Sequence, residues 1–178
     1  QWWFWVIIAV VLIAIITSFS FNSSTDSTNQ NTSQDSNQDT PSSLTNPLPI
    51  GESLTTTFGY GQSVTAEYTI LEIIRGEKAW NMIKSTNQFN RQPDEGKEYL
   101  LAKIKFHLIE TSDEKSYTIP YTIFSVFSKE GISYDFQSVV LPKPELLSKE
   151  LYPGAIYEGW IAYQIPIEET EPRLRVSY

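Results

Sequence analysis

The chain contains no cysteine. That excludes disulfides, thiolate metal sites, cysteine nucleophiles and the lipid-modified cysteine of a bacterial lipoprotein. It contains one histidine, His107, so a zinc site would depend on carboxylates, and no spaced ligand pattern is present. Basic residues are scarce: 13 Lys and Arg stand against 21 Asp and Glu, for a net charge of -8. A phosphate backbone repels such a surface and no Lys/Arg cluster offsets it, so no nucleic-acid partner is expected. No cofactor motif is found, and none is expected. With 178 residues the chain has room for one ordinary domain plus appendages.

Charge is also missing from the first stretch, "QWWFWVIIAVVLIAIITSFSF". Between Trp2 and Phe21 the polar residues are Thr17, Ser18 and Ser20, and none is ionisable. About 20 residues at a helical rise span roughly 30 Å, the thickness of a hydrocarbon core. A soluble helix would need a polar face, which this stretch lacks. Trp2, Trp3, Phe4 and Trp5 sit together at one end, where indole rings favour the headgroup boundary, and read as the membrane interface. Residues 1–21 are therefore predicted to form a single transmembrane helix, with membrane lipid as its partner. The competing reading is a cleaved signal peptide, whose apolar part usually runs about 7–15 residues; Ser18-Phe19-Ser20 is a poor cleavage site. The first basic residue is Arg75 and the chain starts at Gln1, so a preceding basic, cytoplasmic portion is expected.

Residues 22–49 lack almost everything that could form a core. Asn22 to Ser43 is built from Ser, Thr, Asn, Gln, Asp and one Pro. Such a segment buries too little apolar area to offset the entropy of ordering its backbone, and a disordered polar linker is predicted. As a tether of about 25–28 residues it reaches roughly 25–32 Å. Asn22-Ser23-Ser24 and Asn31-Thr32-Ser33 match the N-glycosylation pattern, as so biased a composition does by chance.

From residue 50 to 178 the pattern becomes that of strands. In "YLLAKIKFHL", Leu100, Ala102, Ile104, Phe106 and Leu108 share one face, while Lys103, Lys105 and His107 share the other with Leu101, as in a half-buried antiparallel strand. "RLRVSY" alternates in the same way. "SVTAEYTILEII" and "EGWIAYQIPI" are further strands, and "TIFSVFSKEGISYDFQS" reads as a hairpin turning near Lys129-Glu130-Gly131. In "RGEKAWNMIK", Ala79, Trp80 and Ile83 fall at helical spacing, which predicts a short helix over 77–84, with Trp80 capping an open end of the fold. Some seven short strands and one helix make an all-β, two-sheet antiparallel β-sandwich.

No catalytic constellation emerges. His107 sits in a regular strand beside two lysines and reads as a solvent-facing residue. Ser112-Asp113-Glu114-Lys115 fits the Ser-x-x-Lys pattern of some acyl enzymes, but it falls in a polar connection instead of at the start of a buried helix. Asn90, Asp94 and Glu95 offer part of a calcium shell without the Asp-x-Asp-x-Asp-Gly pattern. Glu168, Glu169 and Glu171 read as solvated loop acids. The expected catalytic, cofactor and metal sites are therefore none. The aromatics exceed what a small sandwich core requires, and Tyr60, Trp80, Tyr134, Tyr152 and Trp160 are the candidate anchors for an envelope or protein partner.

Three stretches, "RGEKAWNMIKSTNQFNRQPDEGKEYLLAKIKF", "FSVFSKEGISYDFQSVVLPKPEL" and "LYPGAIYEGWIAYQIP", resemble an uncharacterised extracellular family of unknown function in Gram-positive bacteria. That family is similar to the mycobacterial immunoprotective extracellular antigen, and its sequences are sometimes labelled telomere repeat-binding factors, a label that the acidic charge and the apolar segment oppose. The resemblance implies an immunoglobulin-like β-sandwich outside the cell behind a membrane anchor, and it implies no catalytic residues. Its most recognisable parts are Pro93-x-x-Gly96-Lys97-Glu98-Tyr99 and Leu151-Tyr152-Pro153-Gly154 before Gly159-Trp160. Gly159 is expected to leave room for a neighbouring backbone or ring. Members often carry Asn just after the long strand, and "HLIETSDEK" has none. The expected function is a membrane-anchored extracellular binding module of the cell envelope, at the plasma membrane. The alternative is an envelope hydrolase built on carboxylates, which requires a pocket holding acids with raised pKa values.

Overall fold

Lys97–Thr111 forms the longest strand, and the domain is built around it. A computed structural model describes Ser43 and residues 46–176, all within one unit, Gln38–Tyr178. The expected transmembrane segment 1–21, with Trp2, Trp3, Phe4 and Trp5, and most of the polar linker, 22–42, lie outside the described residues. No helix among the described residues is long and apolar enough to cross a membrane.

The elements are β1 (Ser53–Phe58), β2 (Val64–Arg75), α1 (Gly76–Thr86), β3 (Lys97–Thr111), β4 (Tyr117–Thr118), β5 (Phe124–Phe127), β6 (Ser133–Tyr134), β7 (Glu150–Leu151), β8 (Ile156–Pro166) and β9 (Arg173–Val176). Among the described residues there are nine strands instead of some seven, because β4 and β7, which form one two-residue pairing, are too short to leave a periodic signal. A four-stranded sheet runs β1-β2-β3-β8, a three-stranded sheet β6-β5-β9, and β4 pairs with β7. Every named pairing is antiparallel. The hairpin forms as read, with Val126 opposite Tyr134 and Gly131 at φ +86° in its turn.

The main core lies between the four-stranded sheet and the smaller sheets. Leu100, Ala102, Ile104, Phe106 and Leu108 of β3 all enter it, as their alternation predicts. They meet Phe124 and Val126 of β5, Val176 of β9, and Ile119 and Leu146 from the connections. Tyr163 of β8 crosses the interface and donates its hydroxyl to the carbonyl of Phe124 at 2.7 Å. On the outer face of β3, Lys103 and Lys105 pair with Glu158 at 2.8 Å and Glu67 at 3.6 Å.

The helix corrects one expectation. It extends over Gly76–Thr86 instead of 77–84, and it does not close an end of the sandwich. It lies against the outer face of the four-stranded sheet, where Ala79 and Ile83 join Ile74, Tyr99, Leu101, Trp160 and Ala162 in a second core. The reason is in β2. A register shift between Ile70 and Glu72 inserts one residue and inverts the alternation beyond it. Ile74 therefore faces outward, and Gly76 at φ +64° swings the chain directly into a helix over that face. Both cores, the helix and every strand described thus fall within one compact unit, residues 38–178.

The two sheet edges are treated differently. The β8 edge is covered, by an antiparallel bridge from Phe136 to Tyr163 and a parallel bridge from Glu145 to Trp160. Among the described residues β1 pairs with β2 and leaves its other edge uncovered.

Candidate ligand cleft

The same inversion in β2 shapes a concave feature with largely apolar walls. Before the extra residue, Tyr68 and Ile70 point between the sheets; after it, Ile73 and Arg75 do so, and all four line one cleft of about 640 Å³. Its floor is Leu100, Ala102 and Ile104 of β3, each almost fully buried. Val126 of β5 and Leu174 and Val176 of β9 form the opposite wall. The chain entering the domain, Pro47 to Ile50, closes one side, with Leu54 of β1 beside it. The volume lies in the range of small-molecule sites, roughly 300–1,000 Å³.

Charged groups stand at the rim: Arg75, Arg173 and Arg175 with Glu52 and Glu171. Arg75 is held in place. Its guanidinium donates to Glu98 Oε1 at 2.7 Å from Nε, and from the terminal nitrogen to the carbonyl of Glu169 at 2.6 Å. Glu169 in turn accepts the Tyr134 hydroxyl at 2.6 Å. That hydrogen bond holds the Glu169 carboxyl below its ordinary range, while burial, with the neighbouring carboxylate adding to it, pushes the Tyr134 phenol up to about 12. These contacts fix the loop after β8 against the start of β3 and so fix the mouth of the cleft.

The five candidate anchor aromatics lie elsewhere, and among the described residues no ring contact joins any two of them. Tyr60 is fully exposed in the turn between β1 and β2, and Tyr152 is exposed in the turn before β8. Trp80 is half-buried and stacks on Tyr99, centroids 6.0 Å apart. Tyr134 is half-buried and committed to Glu169. Trp160 is a correction: at 7% exposure it is packed under α1 and Leu141 and presents no surface to a partner. Strand alternation sends it outward, and the helix and the connection at Leu141 cover it. An aromatic cluster outside those five does reach the surface. Tyr121 packs edge-on against Phe136 at 5.7 Å, and Phe136 against Tyr163 at 5.9 Å. Its members are distant in sequence and leave no local signal.

The acidic candidates find structural roles. Asn90 donates from Nδ2 to the carbonyls of Ile83 and Val140 and accepts the Val140 N–H, so it ties the end of α1 to a connection. Asp94 pairs with Lys97 at 3.4 Å. Among the described residues no group of three His, Cys, Asp or Glu converges for a metal. Ser112 accepts the Ser63 N–H at 3.1 Å and Lys115 pairs with Asp113 at 3.2 Å, so the Ser-x-x-Lys resemblance resolves into turn contacts. In that turn Glu114 takes φ +57°, the conformation that Asn adopts with less strain. Among the described residues the carboxylates with displaced ionisation, Asp113 through its hydrogen bond from Gln62 and Glu169 through Tyr134, are both displaced downward. A general acid needs the opposite.

Among solved structures, the domain is similar to MPT63, a secreted protein from Mycobacterium tuberculosis. The TM-score is 0.47 and the identity 16%, over 72% of this chain and 86% of that one. No curated protein matches the chain. Residues 58–178 match the family described as a domain of unknown function, DUF4352, and the chain belongs to that family.

Proposed function

We propose that this protein is a membrane-tethered, extracellular binding module of the cell envelope. Its immunoglobulin-like two-layer domain holds a ligand between the sheets and performs no chemistry on it. The single observation that carries this reading is the cleft: about 640 Å³, walled by apolar side chains from both sheets, with a few charged groups at its mouth. Concave apolar sites with sparse polar groups are the usual form of a ligand site. The uncharged segment at residues 2–21 and the polar linker after it support attachment to a membrane with the domain on the outer side.

The test is enrichment from detergent-solubilised envelope fractions on immobilised residues 38–178. A parallel column carries Leu54→Trp, which places an indole in the cleft mouth. An envelope component retained by the natural sequence and lost from the variant is expected. No component retained by either, or equal retention by both, would remove the cleft as the binding site.

A further inference from the structure

We infer that the free edge of β1 docks a second copy of this chain. The two copies pair their β1 strands antiparallel about Thr55, and their four-stranded sheets join into one. This goes beyond the ligand reading of the cleft and does not depend on it.

The edge is suited to pairing. Among the described residues nothing pairs with β1 on the side away from β2, whereas the opposite edge of the same sheet, β8, is covered by the bridges from Phe136 and Glu145. A free edge presents a row of unpaired N–H and C=O groups, and proteins that stay apart blunt it with charge, proline, a bulge or brevity. β1 uses none of these. Its six residues, Ser-Leu-Thr-Thr-Thr-Phe, carry no charge and no proline, and its register against β2 runs unbroken from Ser53 to Phe58. Three consecutive threonines favour the extended backbone. A neutral strand in a chain of net charge -8 is also one that a second copy meets without like charges opposed.

The flanks of the strand identify the occupant. Ile50 and Tyr60 are both exposed large apolar side chains, one five residues before Thr55 and the other five residues after it. An antiparallel two-fold pair centred on Thr55 therefore brings Ile50 of each copy to Tyr60 of the other, once on either side of the axis. The same register sets Thr55 against Thr55 and Ser53 against Thr57 on the outer face. Hydroxyl pairs of this kind already join β1 to β2, Ser53 to Thr69 at 2.8 Å and Thr57 to Thr65 at 3.0 Å, and such pairs stabilise a sheet. Glu52 meets Phe58 of the other copy and is kept away from the other Glu52. The tethers permit the arrangement. The two Ser53 residues lie roughly 14 Å apart along the strands, within the roughly 25–32 Å reach of each linker, so both copies can be held on one bilayer.

The absence of cysteine makes the test direct. In the full chain, held in dodecyl maltoside micelles, Thr55→Cys supplies one thiol per molecule. The register places the two residue-55 Cα atoms about 4.5–5.5 Å apart, within the span of a disulfide. Diamide should convert Thr55→Cys to a covalent dimer at least about tenfold faster than Ser85→Cys, an exposed control on α1, because pairing raises the local thiol concentration. Ser53→Cys and Thr57→Cys should each remain slow alone and cross-link when mixed, since the register opposes one to the other. Adding Tyr60→Ser to Thr55→Cys should slow the reaction at least about tenfold, as loss of an aromatic anchor on each side does. Far-ultraviolet circular dichroism should be unchanged, because Tyr60 is fully exposed. A Thr55→Cys rate no faster than that of Ser85→Cys would overturn the inference. Fastest self-cross-linking at Ser53→Cys or Thr57→Cys would overturn the register, and an unchanged rate with Tyr60→Ser would overturn the Ile50–Tyr60 contact. A disulfide from an envelope protein to Thr55→Cys, with no homodimer, would assign the edge to an extended segment of that protein instead. None of these four positions lines the cleft, so failure here leaves the ligand reading to its own test.

Discussion

Gly159 of β8 and Leu146 cross backbone to backbone, so closely that a Cβ built on Gly159 would lie 2.6 Å from the Leu146 Cα and 2.7 Å from the Glu145 carbonyl carbon. The segment around Leu146 is held there by two backbone hydrogen bonds. Trp160 N–H donates to the Pro144 carbonyl at 2.9 Å, and Leu146 N–H to the Trp160 carbonyl at 3.2 Å. This crossing covers the β8 edge and seats Leu146, fully buried, in the main core.

Gly159→Ala should therefore be costly despite adding a single methyl. The obstructing atoms are backbone, which cannot rotate away, so the edge segment must separate from β8. A loss of about 1–3 kcal/mol or more is expected from overpacking. Urea unfolding of residues 38–178 should show a lower midpoint with an unchanged slope. A substitution that leaves the midpoint in place would show that the segment can move off the strand freely.

Tyr163→Phe removes the hydrogen bond that joins the two layers at 2.7 Å and leaves the Phe124 carbonyl without that donor. The ring and its packing are retained, so the change isolates the hydroxyl. A loss of about 1–2 kcal/mol is expected, read as a lower unfolding midpoint.

Alkaline titration should reveal a group of late-ionising tyrosines. Burial pushes Tyr117 and Tyr163 up to about 12, and burial with Glu169 does the same for Tyr134. In the unfolded chain these phenols ionise near 10. The folded form therefore binds more protons between those values. The stability they contribute is whole below pH 10 and is lost as pH rises towards 12. Tyrosinate absorbance from these three should rise in a late phase coincident with unfolding. Ionisation of these three near pH 10 with the fold intact would contradict their surroundings in the structure. Tyr134→Phe should remove one phenol from the late phase.

Much of the fold could be read locally. The face of β3 that enters the core was visible in its alternation, because a strand bordering one core must repeat every second residue. The room needed at Gly159 was visible because a glycine inside a strand marks a close approach. Family membership followed from the turn and strand motifs around Gly96 and Gly159. The position of α1 was not legible: periodicity gives the apolar face of a helix but not which surface receives it, and the extra residue in β2 that turns Ile74 outward has no composition signal. Trp160 was misjudged for the same reason, since its cover comes from α1 and Leu141, far away in the chain.

The sequence by itself determined the strand-rich domain from residue 50 onward, its short helix, the turn glycines and the charge balance. Those properties depend on neighbouring residues and on backbone sterics. The tertiary structure alone decided the cleft and the gathering of three arginines at its rim. Its walls come from β1, β2, β3, β5 and β9, and side chains separated by up to a hundred residues or so along the chain become neighbours only once two sheets have packed and one strand has changed its parity.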